Sequence, residues 1–251
     1  MITCGVIHCL QSLNLEHPVM KKSLLSLVLC SLLLTACGAD IPQIPPAEVI
    51  TRASEAMLEA PSFHFKIDLE GRPVVLNQLT QLALRSAEGD FARPDKMGVH
   101  LKVLLAVAAA ELDMIALGDE QYLTNVLTKH WEPLPAEFGF NPAIMFDPQV
   151  GLEQVLKGGL DNVHWIGVES IDSKSVFHVQ GSLSGERLQG MSGGLIGAGP
   201  IEADLWVEAD TFLPRKAVIV DQGSDPDKPT TWTMTFSSYG KDVNITAPEV
   251  N

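Results

Sequence analysis

The chain predicts an α+β fold built on one antiparallel sheet with too few helices to cover it, and three observations lead there. Apolar and polar side chains alternate over many short runs, as strands with one buried and one wet face require. Only one stretch has good helical periodicity, and two further apolar segments are short. Turn-forming words, not helical crossovers, separate the alternating runs, so neighbouring strands pair as hairpins. Some eight to ten strands result.

The first segment is a targeting signal. Met20-Lys21-Lys22, the apolar run Leu24–Leu34 and the word Leu34-Thr35-Ala36-Cys37 have the form of a secretory signal closed by a lipoprotein cysteine. The run is about eleven residues, too short to cross ~30 Å of hydrocarbon as a helix. The expectation is removal of residues 1–36, translation from Met20, and lipidation of Cys37 as the first mature residue. All four cysteines (Cys4, Cys9, Cys30, Cys37) lie at or before this point, so no disulfide framework is available beyond it. Residues 37–46, with Pro42, Pro45 and Pro46, read as a stiff extended tether, and residues 47–251 as one domain.

Pro46 to Ala60 places Val49, Ile50, Ala53, Ala56 and Met57 at helical spacing behind a helix-starting proline. Phe63, Phe65, Ile67 and Leu69 then alternate with His64, Lys66, Asp68 and Glu70, a half-buried strand. A second strand is expected in 79–88, ending at a turn over Gly89–Lys96. Val99, Leu101, Val103 and Leu105 begin the next, and Glu111–Leu117, Gly118–Glu120 and Gln121–Asn125 read as strand, turn, strand. Residues 132–151 read as irregular, and Leu152–Leu160 as a short apolar helix. Strands at 163–169, 176–183, 201–207, 215–221 and 230–239 complete the set, the last two joined through the acidic turn 221–227. Between Ser184 and Pro200, six glycines accompany Leu188, Met191, Leu195 and Ile196, a mobile amphipathic segment.

Charge narrows the function. The mature chain carries 15 basic and 30 acidic side chains, a net charge of −15. Such a surface is repelled by nucleic acid and by anionic headgroups, so attachment to a membrane has to come from the lipid on Cys37. Chemistry is absent from the motifs. Gly190-Met191-Ser192-Gly193-Gly194 matches a nucleophile elbow, but no histidine follows His178, so the required Ser, Asp, His order fails. His64, His100, His130, His164 and His178 are dispersed, without metal-ligand spacing. No catalytic residue, metal site or cofactor is expected. The uncovered apolar face leaves two outcomes: a sheet packed dry by its helices, or a hollow that a ligand fills, since an empty one costs ~24 cal/mol per Å³.

Several words in fixed order resemble the LppX/LprAFG family of cell-envelope lipoproteins, which shares a fold with the LolA/LolB carriers. They are the Cys37 box, Ala60-Pro61-Ser62-Phe63-His64-Phe65, Gly89-Asp90, Arg93-Pro94-Asp95-Lys96 and Gly118-Asp119-Glu120-Gln121-Tyr122-Leu123 with Trp131 after it. Phe146-Asp147-Pro148 before Gly151-Leu152, and Ser238-Tyr239-Gly240-Lys241 near the end, complete the order. The resemblance implies a strongly curved antiparallel sheet, a half-barrel, with a few helices on its concave side enclosing a hydrophobic pocket. It implies an extracytoplasmic lipoprotein, anchored through a diacylglycerol-modified, palmitoylated Cys37 on the outer face of the cell membrane. Its ligand would be an acylated lipid or glycolipid, carried across the envelope beside a membrane transporter. The glycine-rich 184–199 segment departs from the firmer helix the family pattern implies there.

The lipid-binding residues expected on this reading are the apolar strand faces. They are Phe63, Phe65 and Ile67 from the first strand and Leu101, Val103 and Leu105 from the third. Phe177 and Val179, Leu205 and Val207, and Trp232, Met234 and Phe236 come from later strands. Leu188, Met191, Leu195 and Ile196 would form a movable rim. The rival is a non-catalytic interaction lipoprotein with a solid core.

Overall fold

The computed structural model describes residues 44–77, 81–105, 108–134, 144, 145, 147 and 149–250. The expected signal, the expected lipidation site at Cys37, most of the expected tether, Phe146 and Pro148 lie outside the described residues, which all belong to the compact unit Asp40–Asn251.

Helix α1 (Pro46–Glu59) starts on Pro46 and buries Val49, Ile50, Ala53 and Met57. Its last carbonyls are capped from a distance: Arg93 donates from Nε to Ala60 O (3.0 Å) and from Nη2 to Met57 O (2.9 Å). A guanidinium there satisfies orphan acceptors and suits the negative end of the helix. Seven strands follow: β1 (Ser62–Glu70), β2 (Val74–Asn77), β3 (Leu82–Ala92), β4 (Lys96–Leu105), β5 (Ala108–Leu117), β6 (Glu120–Thr124) and β7 (Trp131–Pro133). After α2 (Leu152–Lys157) come β8 (Asp161–Ile171), β9 (Lys174–Ser184) and the one-turn α3 (Glu186–Gln189). The chain ends with β10 (Pro200–Glu208), β11 (Pro214–Asp221) and β12 (Thr230–Ser237).

The twelve strands among the described residues join one open, curved antiparallel sheet in the order β7-β6-β5-β4-β3-β1-β12-β11-β10-β9-β8, with β2 pairing β3 beyond the end of β1. The central pair β1–β12 joins the start and end of the domain, with Phe65 opposite Phe236 and Ile67 opposite Met234. Curvature is built in at Gly89. A Cβ there would lie 2.1 Å from the carbonyl oxygen of Gly98 on β4, an approach no other residue permits. Both edges have company: Trp165 on β8 donates from Nε1 to Ile44 O (3.1 Å), and Trp131 on β7 bridges Val250.

Two expectations need correction. Gly89 does not begin a turn; β3 continues to Ala92, and only Arg93–Asp95 turns. The reason is packing, since Phe91 is fully buried with its ring 5.2 Å from that of Phe63, also in contact with Phe236 and Tyr239. The strand count exceeds eight to ten because β2 and β7, of four and three residues, are too short to show alternation. Residues 184–200 pack against the core, with a single helical turn and Leu188, Met191 and Ile196 buried, as described below.

Candidate functional site

Helix α2 is six residues long, too short to persist alone. Leu152, Val155 and Leu156, at i, i+3 and i+4, turn toward the sheet and are buried there. Arg187 of α3 holds its end, donating from Nη2 to Val155 O and from Nη1 to Gly159 O, both 2.8 Å. The two short helices are therefore tied to each other.

The segment carrying α3 closes on itself through backbone approaches that glycine permits. Gly185 N donates to Gly199 O (2.8 Å), and a Cβ on Gly185 would stand 2.0 Å from Gly197 O. The buried carboxylate of Asp221 accepts from Gly197 N (2.9 Å) and Gly223 N (3.2 Å). Ser192 is 3% exposed, accepts from Ile196 N (3.2 Å) and donates to Gln189 O (3.3 Å), so its hydroxyl serves the loop.

Between these helices and the sheet lies an apolar cavity. Its lid side is Leu152, Val155, Leu156, Leu160 and Leu188; its floor is Leu183, Ala203, Leu205, Ala217, Ile219, Met234 and Phe236, with Asp204 and Pro214 beside them. The carboxylate of Asp204 is engaged by His178 and Gln180 and leaves the lining almost wholly apolar. Its volume is about 40 Å³, room for about one to three water molecules. The hollow of lipid size that an uncovered sheet allows is therefore nearly closed here, because α2 and the 185–199 segment drop into it.

Of the expected lining residues, Leu188, Leu205, Met234 and Phe236 border the cavity. Phe63, Phe65, Ile67, Val103, Phe177, Val179, Met191, Ile196, Val207 and Trp232 are buried in the same core without bordering it, and Leu101 and Leu195 are half-buried against it. Leu105 is 37% exposed at the end of β4. Leu152, Val155, Leu156, Leu160, Leu183, Ala203, Ala217 and Ile219 escaped the sequence reading. Their signal was present as the helical spacing in α2 and the inward parity of β9, β10 and β11; bulkier side chains drew attention elsewhere. The indole Nε1 of Trp232, opposite the cavity residue Ile219, is buried with no hydrogen-bond acceptor.

The outer face is polar. His178 is 7% exposed, with Nδ1 2.6 Å from Glu169 and Nε2 2.8 Å from Asp204, and its ring stacks on Trp206 at 4.0 Å. Trp206 donates from Nε1 to Glu169 (2.9 Å), and Lys216 lies 4.4 Å above its ring. The hydrogen bonds from Trp206 and His178 hold the Glu169 carboxyl below its usual range. Among the described residues, no group of three or more His, Cys, Asp and Glu is arranged to hold a metal ion, and no helix is long and apolar enough to cross a membrane.

An open sheet folded over an apolar space under short helices defines a class, the curved single-sheet proteins with an apolar interior. The chain belongs to the LppX_LprAFG lipoprotein family, whose model matches residues 45–245. Its fold is similar to that of LprF from Mycobacterium bovis, at TM-score 0.64 and 18% identity over 81% of this chain and 96% of that one. Lipoprotein LppX from Mycobacterium tuberculosis is similar at TM-score 0.59 and 20% identity, over 80% and 98%. In sequence, the chain is 28% identical over 109 residues to the lipoarabinomannan carrier protein LprG of Mycolicibacterium smegmatis. That alignment covers 43% of this chain and 44% of LprG, less than half of either.

Proposed function

We propose that this chain is a lipid-anchored, extracytoplasmic carrier that takes acyl chains of a lipid or lipoglycan into the space beneath α2 and α3 and moves them across the cell envelope. The observation that carries this reading is the apolar cavity whose roof is two short helices held to each other by Arg187, instead of a continuous core layer. Family membership supports it, and the name of LprG supports a lipoglycan as one ligand class.

Loading works by displacement. Moving the roof outward lengthens the cavity, and each methylene taken from water gains about 0.8 kcal/mol. The ligand's headgroup stays outside. No reaction on the ligand is part of this reading. Anchoring through Cys37 and a transporter partner belong to the same proposal.

A second reading has a specific observation in its favour. The interior is almost filled, as an interaction lipoprotein with a solid core would have it. Native mass spectrometry of the unit Asp40–Asn251, which contains the whole described core, separates the two. Co-purified lipid, or uptake of a fluorescent fatty acid, is the expected result; a clean apo mass with no uptake favours the solid module. Ala217→Leu, which fills the closed cavity, should block uptake while leaving stability within about 1 kcal/mol.

A further inference from the structure

The two short helices of the roof meet on one side chain. Arg187 of α3 donates from Nη2 to Val155 O and from Nη1 to Gly159 O, both at 2.8 Å. Gly158 makes room for the guanidinium, since a Cβ there would lie 2.4 Å from Nη2. Among the described residues no carboxylate pairs with Arg187, whereas Arg52, Lys174 and Arg215 each meet one. Its seat is at the rim of the cavity. Leu188 beside it, Val155 whose carbonyl it holds, and Leu160 next to Gly159 all line the apolar space. Lys157 and Gly158 are exposed, and Arg187 itself is half-buried, so the same guanidinium reaches solvent.

Lifting the roof changes what this side chain needs. Moving α2 off α3 breaks both hydrogen bonds and leaves a planar pair of donors facing whatever enters behind the acyl chain. A carboxylate or phosphate accepts both in a bidentate pair, stronger than any bond a neutral headgroup returns. Long-range attraction is not the source of such selection. By sequence, α2, its connection to β8 and α3 hold Lys157 and Arg187 against Glu153, Asp161 and Glu186, with no positive surplus to draw an anion from afar. Selection has to come from direct contact with the fork that the two carbonyls occupy.

We propose that Arg187 selects the headgroup. The lipid admitted beneath α2 and α3 carries a carboxylate or a phosphate at the head of its acyl portion, and this anion replaces the carbonyls of Val155 and Gly159 as the roof lifts. The ligand thus supplies a substitute for the tie that its own entry breaks. The inference rests on the carrier reading and names its substrate class, lipids with an anionic headgroup. An anion on the fork leaves the chain's first methylenes beside Leu160 and Leu188, one residue from the groups that Arg187 links.

The test compares dodecanoate, dodecyl phosphate and dodecanol, equal in chain length, as competitors of the neutral dye N-phenylnaphthylamine. The protein is the unit Asp40–Asn251 at about pH 8, where a carboxylate is ionised. The unsubstituted protein should bind both anions about tenfold more tightly than the alcohol. Arg187→Gln should bring that ratio close to one, and Arg187→Lys, a point charge without the fork, should keep part of it. Lys157→Gln should leave the ratio as it was. Arg187→Gln also loses the roof tie, so the readout is the ratio between ligands and not the rate of uptake. If that variant fails to fold, the ratios of the unsubstituted protein and of Arg187→Lys decide. Equal affinity for the three ligands overturns the proposal, as does a ratio that survives in Arg187→Gln or is lost only in Lys157→Gln. In those cases the carrier reading stands, because all three ligands bind. Failure of every ligand to displace the dye sinks the carrier reading and this inference with it. A preference for both anions supports the proposal, and the tighter of the two tells a fatty acid from a phospholipid as the source.

Discussion

His178 shows what single residues reveal only in three dimensions. Both its ring nitrogens meet carboxylates, from Glu169 on β8 and Asp204 on β10. Alternation in β9 puts His178 on the face opposite Phe177 and Val179, but its partners lie on two other strands and no local pattern announces them. Glu169 sets a pH prediction. Its carboxyl sits below the ordinary value of 4.5 chiefly because Trp206 donates to it, then because of His178. A carboxyl lowered on folding stabilises above its unfolded value and loses that contribution as pH falls through its folded one. The parent should therefore be more stable than Glu169→Gln near neutrality, and their urea midpoints should converge as the pH drops below 4.5. The gap will be small because the Glu169 side chain is 46% exposed. A constant gap down to strong acid would refute the assignment. Gly89 teaches the complementary lesson, for a glycine beside Asp90 reads as a turn until the closeness of Gly98 is seen.

On the carrier reading proposed above, access to the cavity turns on the α2–α3 pair. Arg187 supplies two hydrogen bonds to carbonyls at the end of a helix too short to stand unaided. Arg187→Ala should cost about 1–2 kcal/mol, in the lower range for bonds to a charged donor because the side chain is half-buried. It should also speed fatty-acid uptake, seen by stopped-flow fluorescence; slower or unchanged uptake would mean that the tie does not control entry. Gly185→Ala attacks the same element from the other side, since its Cβ meets the backbone oxygen of Gly197. Most strands were legible because alternation depends only on neighbours in sequence. The role of α2 was not, because three apolar residues on a single short turn look alike whether they cover a core or roof a cavity.

Over the whole molecule, one sheet does two jobs with unequal packing. The stretch around Phe63, Phe91 and Phe236 is sealed by aromatic rings, whereas the stretch under α2 and α3 keeps a residual space between aliphatic side chains. Sequence parity put Phe63, Phe236, Leu205 and Met234 on apolar strand faces but could not say where space remains, since that depends on β12 returning to pair with β1. The asymmetry predicts where loading is felt. A ligand at 100-fold its dissociation constant stabilises by about 2.7 kcal/mol in total, while the roof must surrender its own contacts to admit it. Amides of α2 and of residues 185–199 should therefore exchange hydrogen faster in the fatty-acid-loaded protein than in the empty one. Those of β1, β3 and β12 should slow together, following the rise in global stability. Uniform slowing everywhere, roof included, would mean that the acyl chain binds without lifting α2 and α3, and the displacement mechanism would fall even if binding itself were observed.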